Sequence, residues 1–205
     1  MKKDYVHLCI VLDASGSMEV IEDDIKGSLK TFMAEQKREE GKTVFDVFQF
    51  SDGTRRIVKH ADMAEYKDDL MDSYQCSGRT ALYDAICKAV DTLGMEFAAM
   101  PEEERPEKVI VTIVTDGHEN ASRRYTLEDV RERINRQTCE YNWEFVYLAA
   151  NQDEFEAKCI SRSMGVCQSM VSASMADLAG TTCRSLRDSV RRARDPRRAD
   201  PGKAK

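Results

Sequence analysis

The sequence predicts an α/β protein built on a mostly parallel, doubly wound sheet. Three observations carry that expectation. Short apolar runs, at 5–12, 43–50, 108–116 and 143–150, alternate with segments whose apolar residues recur at helical spacing. The run at 5–12 is almost continuously apolar, as a strand covered on both faces must be. Two of the runs meet an aspartate, Asp13 and Asp116, at the end where open α/β sheets keep their ligand sites.

In chain order, 5–12 is the first strand. From Met18 the period changes, and Met18, Ile21, Ile25, Leu29, Phe32 and Met33 share one helical face until Gly41 closes the helix. TVFDVFQF (43–50) is the second strand, and SDGT is a turn leading into RRIVKHA (55–61). That short turn makes the pair an antiparallel hairpin. AEYKDDLMDSY reads as a short helix and CSGRT (76–80) as a loop. A helix from Ala81 then carries Leu82, Ile86, Val90, Leu93 and Phe97. After the polar loop MPEEERPE comes KVIVTIVTD (108–116), the strongest strand signal, in which β-branched residues predominate. Thr126 and Asp129 fit a capping box that opens a helix to about Thr138. WEFVYLAA (143–150) is a further strand. A helix over 153–164, an extended piece near 166–171 and a helix carrying Met175, Leu178, Ala179, Leu186 and Val190 complete the domain, 1–192. The tail, 193–205, is basic and expected to be disordered.

The chain has 205 residues, 41% hydrophobic and 33% charged, enough for one domain with a sizeable core. No apolar run reaches the roughly 18 residues of a membrane span, so no membrane contact is expected. The N-terminal run meets Asp13 too early for a secretory signal and lacks a small-residue cleavage site. The seven cysteines are odd in number, scattered, and form no C-x-x-C pair, which points to a reducing cytoplasm. Cys9 and Cys87 fall within apolar patterns as small buried hydrophobes. Zinc is disfavoured, because no close cysteine pair exists and His7, His60 and His118 are far apart in sequence. The last 22 residues carry nine Lys and Arg against three Asp, a net charge of +6, which leaves −12 on residues 1–183.

Five oxygen-bearing side chains can converge at the strand ends: Asp13, Ser15, Ser17, Thr80 and Asp116. In an extended loop residues i, i+2 and i+4 point the same way, so DASGS offers Asp13, Ser15 and Ser17 together, with Gly16 giving freedom to bend. A few hard oxygens with room for water suit Mg2+, or Mn2+. Two carboxylates are few for an all-protein Ca2+ cage.

VLDASGSM, GRTALYDAI and IVTDGHEN resemble the three segments of the metal-ion-dependent adhesion site in von Willebrand factor A domains. The family pattern is Asp-x-Ser-x-Ser, a Thr in a Gly-x-Thr loop, and an Asp-Gly after a buried strand. It matches at Asp13, Ser15, Ser17, Thr80 and Asp116, and the likeness runs over roughly residues 5–195. RPEKVIVTIVTDGHENASRRYT and WEFVYLAANQD further look like the small stand-alone bacterial and phage members. The resemblance implies a Rossmann-like, six-stranded sheet with one antiparallel edge strand. It implies that Ser15 and Ser17 bind the metal directly and Thr80 directly or through water. Asp13 and Asp116 then act largely through water and hydrogen bonds. The open metal position would take an Asp or Glu from a partner protein. Ala14 stands where relatives often carry a bulkier or charged residue.

Two other classes compete with a protein-binding module. A Mg2+-dependent hydrolase of phosphatase type would need a second Asp where Ser15 stands. Neither a P-loop nor G-x-S-x-G occurs, and no nucleophile–base pair can be named, so an enzyme is not expected. The basic tail could contact nucleic acid, but it has no interleaved aromatics and the body is acidic. His118 and Glu119 either rim the site or are solvated loop residues. Trp143 and Tyr147 are read as packing residues. Asp13→Ala should spare the fold, because the site lies at the surface edge of the sheet.

Overall fold

A computed structural model describes residues 1–67, 73–116, 118–149, 168–171 and 175–195, with the backbone alone described for 168–171, 175 and 176. Its strands are β1 Lys2–Asp13, β2 Lys42–Phe50, β3 Thr54–Asp62, β4 Pro106–Thr115, β5 Glu144–Ala149 and β6 Gln168–Val171. The helices are α1 Glu22–Gln36, α2 Leu82–Ala99, α3 Leu127–Tyr141 and α4 Met175–Ala193. The strands form one sheet in the order β3-β2-β1-β4-β5-β6. All neighbours are parallel except β2 and β3, the expected hairpin.

Alternation along β1 decides which core each side chain enters. Leu8, Ile10 and Leu12 join Phe45, Val47, Ile110 and Val114 beneath Ile25, Leu29 and Phe32 of α1 and Leu186 and Val190 of α4. Cys9 and Val11 join Phe48, Val111 and Ile113 beneath Ile86, Val90 and Leu93 of α2 and Val130 and Ile134 of α3. Each buried Leu, Ile or Phe adds about 1.5–3 kcal/mol of transfer energy, so two-sided cover makes β1 and β4 the anchors of the fold. Cys9 and Cys87 are wholly buried within this second core, as expected. Trp143 packs edge-on to Phe97, with ring centroids 5.9 Å apart. No helix among the described residues is long and apolar enough to cross a membrane.

Three helix boundaries differ from the sequence reading by more than one residue. A 3-10 helix, Gly16–Ile21, precedes α1, so the α-helix begins only at Glu22. α1 stops at Gln36, where Arg38 and Glu39 turn back to the carbonyls of Glu35 and Gln36 in the tighter i→i+3 pattern. Gly41, with φ 91°, instead turns the chain into β2. α3 starts at its capping box, with Thr126 and Asp129 bonding each other's backbone N–H. It runs to Tyr141, ending on Asn142 in the left-handed conformation. The helix expected over 153–164 lies outside the described residues, as do 68–72 of the short helix and 196–205 of the tail. Within the first residues of that tail, Arg194 donates to the hydroxyl of Thr43 at 2.5 Å.

Candidate functional site

The sheet order reverses between β1 and β4, the switch point where loops diverge to opposite faces and leave a crevice. Asp13 ends β1 and Asp116 follows β4 directly, so the two carboxylates flank that crevice. The structure brings all three motif segments there. Ser17 donates to Asp116 Oδ1 at 2.8 Å, and its oxygen lies 3.1 Å from Ser15 Oγ. Asp13 accepts from the Ser15 N–H at 2.8 Å and from the Thr115 hydroxyl at 2.5 Å. The serines do not meet as alternate residues of an extended loop. Ser15 is extended, with φ −66° and ψ 165°, whereas Ser17 already lies in the 3-10 helix.

The loop that carries Thr80 is bonded to the first segment. The Gly16 N–H donates to the Gly78 carbonyl at 3.0 Å, and the Ser77 N–H to the Ala14 carbonyl at 2.7 Å. These bonds tie the first segment to the second. Gly78, with φ 80°, is the glycine the loop requires, and a Cβ there would come within 2.3 Å of Asp52 Oδ2. Gly16 is freer, for its Cβ would meet only the Gly78 carbonyl at 3.5 Å.

The third segment locks the second. Asn120 Oδ1 accepts from the Thr80 N–H at 3.0 Å, Glu119 Oε2 from the Tyr83 N–H at 3.0 Å, and Ser122 Oγ from the Asp84 N–H at 3.1 Å. Asp84 in return accepts from the N–H groups of Arg123, Arg124 and Tyr125. Glu119 also takes the N–H groups of Ala121 and Ser122. Its carboxylate is therefore occupied in capping the start of α2 and is not free to rim the site. His118 is exposed. The sequence reading missed this role of Glu119, Asn120 and Ser122. The available signal was HENAS itself, three capping side chains after a strand.

Asp13 is 0% and Asp116 5% exposed, so the pair is buried rather than at the surface edge. Burial pushes the Asp13 carboxyl up to about 6, against the opposing hydrogen bonds from Thr115 and Ser15. Repulsion from Asp116 is a minor contribution. Burial also raises Asp116. Asp116 Oδ2 is buried without a hydrogen-bond partner among the described residues. A lone buried carboxylate oxygen is costly, and a cation is what such an atom lacks. The donor set is hard oxygen throughout, which fits a Mg2+-class ion. Elsewhere among the described residues, His7, Asp46 and His60 also stand close enough to share an ion.

Several solved structures share this fold. A von Willebrand factor type A protein from Catenulispora acidiphila is 17% identical, with a TM-score of 0.62, over 93% of this chain and 42% of its own. A mutant PilB minor pilin from Streptococcus sanguinis is 9% identical with a TM-score of 0.64, over 93% and 62%. Proximal thread matrix protein 1 from the mussel byssus, described with a zinc-occupied MIDAS motif (a metal-ion-dependent adhesion site), is 17% identical with a TM-score of 0.55, over 87% and 46%. This chain thus spans about two fifths to three fifths of their lengths. Comparison with curated proteins finds no match. The sequence matches the von Willebrand factor type A domain over residues 7–180, and the chain belongs to that family.

Proposed function

We propose that the chain is a metal-dependent protein-binding module. Ser15, Ser17 and Thr80 hold a divalent cation, Mg2+ or Mn2+, with Asp13 and Asp116 supporting it through hydrogen bonds and water. Its open position takes an Asp or Glu side chain of a partner protein. The observation that carries this reading is the buried Oδ2 of Asp116, unpartnered among the described residues, beside the Ser15–Ser17 hydroxyl pair, of which Ser17 already bonds the other oxygen of that carboxylate. The mussel protein's zinc-occupied motif supports a metal at this position in the fold.

When bound, the cation supplies a positive centre for a carboxylate. The chain's own residues do the rest. Thr115 and the Ser15 N–H hold Asp13 as an acceptor, and Asn120 fixes the Thr80 backbone. The module acts by binding rather than by catalysis, and we place it in the cytoplasm, where its free thiols at Cys76, Cys139 and Cys183 would stay reduced.

A displayed random-peptide library selected on the immobilised chain tests the proposal. In Mg2+ the selected peptides should share one acidic residue, be released by EDTA and fail to bind the Asp13→Ala variant. Peptides without a common acid, or equally retained in EDTA, would overturn it.

A further inference from the structure

At the far end of the same strand the fold builds a second polar cluster. His7 lies six residues before Asp13 on β1, roughly 20 Å along the strand. His7 and Asp46 are both 0% exposed. The His7 ring meets Phe97 edge-on at 4.9 Å and His60 at 5.2 Å. Asp46 uses its oxygens differently. Oδ1 accepts from the Arg56 guanidinium and from the His60 backbone N–H. Oδ2 faces both imidazoles, 2.7 Å from His7 Nε2 and 3.8 Å from His60 Nδ1.

The backbone is shaped to make this meeting. Between the pairs Phe45↔Ala61 and Val47↔Val58, one residue of β2, Asp46, opposes two of β3, Lys59 and His60. That bulge re-aims a side chain, and His60 sits within it at φ 42°, a left-handed conformation that costs a non-glycine residue energy.

We propose that His7 Nε2, Asp46 Oδ2 and His60 Nδ1 form a second metal site, for a transition ion of the zinc class. Two imidazoles and one carboxylate select such ions over Mg2+, and three protein ligands leave a fourth position, reached past the partly exposed His60. The supporting contacts are those that ligands of this kind need. His60 Nε2 lies 2.9 Å from Glu96 Oε2, the carboxylate–histidine arrangement that leaves Nδ1 free as a donor to metal. Arg56 holds both the far oxygen of Asp46 and Glu96.

Metal entry moves the His7 proton from Nε2 to Nδ1, where the Tyr5 hydroxyl lies at 3.5 Å, with no net loss of protons. The candidate ligand atoms lie within 4.8 Å of one another. Bonds of about 2.0–2.1 Å in a tetrahedron set ligand atoms roughly 3.3 Å apart, so the His7–Asp46 contact opens and the His60–Asp46 gap closes by about half an ångström each, and the His7–His60 separation closes by up to about 1.5 Å. The cluster shares no residue with the strand-end site.

Co2+ titrated into the full chain carrying Asp13→Asn, which disables the strand-end site, tests this. One equivalent should bind with the visible absorption of tetrahedral Co2+ and be displaced by Zn2+. Adding His60→Asn removes the imidazole while tolerating the left-handed backbone, and should abolish the band with circular dichroism unchanged. Glu96→Gln should weaken binding about 10–100-fold. It also decides the question if His60→Asn does not fold. No band, a band undiminished in His60→Asn (cobalt on cysteines), or no effect of Glu96→Gln would overturn the proposal and leave a structural ion-pair network.

Discussion

Replacing Asp13 by Asn removes a charge that the metal-free fold holds out of water. The wild-type carboxyl is pushed from 3.8 up to about 6 by burial. A raised acid pKa means that the native state binds the proton more tightly than the unfolded chain. The stability this gives is fully present below about pH 4 and is lost as pH rises through 6. Two pKa units correspond to about 3 kcal/mol above pH 7. Asn keeps the shape: its oxygen can accept from the Ser15 N–H, and its amide can donate to the Thr115 hydroxyl, which now donates instead. Reversing that bond costs on the order of 1 kcal/mol. The variant should therefore gain roughly 1–3 kcal/mol at pH 8 in EDTA, about 3–10 °C in Tm for a chain of this size. At pH 4 the gain should vanish. Mg2+ at 100 times its dissociation constant should add about 2.7 kcal/mol to wild type and nothing to the variant. Urea unfolding at both pH values, with EDTA and with Mg2+, reads all four quantities. A variant less stable than wild type at pH 8 in EDTA would refute the reasoning, and so would one that Mg2+ still stabilises.

Mg2+ affinity of wild type should fall about tenfold per pH unit below pH 6, because the ion competes with the Asp13 proton; a pH-independent affinity from calorimetry would contradict the burial argument. Gly78→Ala forces a side chain into φ 80° and displaces Asp52, so it should cost about 1–2 kcal/mol in urea unfolding and weaken Mg2+ binding by loosening the Ser77–Thr80 loop. Asn120→Ala leaves the Thr80 N–H without its acceptor; a loss of about 1–2 kcal/mol of stability should accompany weaker metal binding, and unchanged affinity would show that Thr80 is positioned without it. Thr126→Ala opens the capping box, which uses none of the candidate ligands, and should cost about 0.5–2 kcal/mol in thermal unfolding with Mg2+ binding unchanged.

The sheet was legible because its signals are local. A two-sided strand is continuously apolar, and a short Asp-Gly turn leaves little choice but a hairpin. DASGS, Thr80 and Asp116 were legible for a related reason: each lies at the end of a strong strand, so the topology alone brings them together. Local geometry was not. Ser17 sits in a 3-10 helix that has no strong composition of its own, and the helical face from Met18 to Met33 reads as continuous across it. Tyr74 closes on Asp13 across a long sequence separation, its hydroxyl donating to the Asp13 carbonyl at 2.6 Å. The pairing of His7 with His60 was invisible for the same reason. Spacing argued that the histidines are scattered, yet two adjacent strand pairings and a bulge bring two of them to one carboxylate.

Calorimetric titration of Mg2+ and Mn2+ into wild type and Asp13→Ala asks whether the strand-end residues hold a divalent cation. Wild type should bind one ion per chain saturably, and the variant should stay folded and lose that binding. Absence of saturable binding in wild type, or equal binding in Asp13→Ala, would contradict the proposed site.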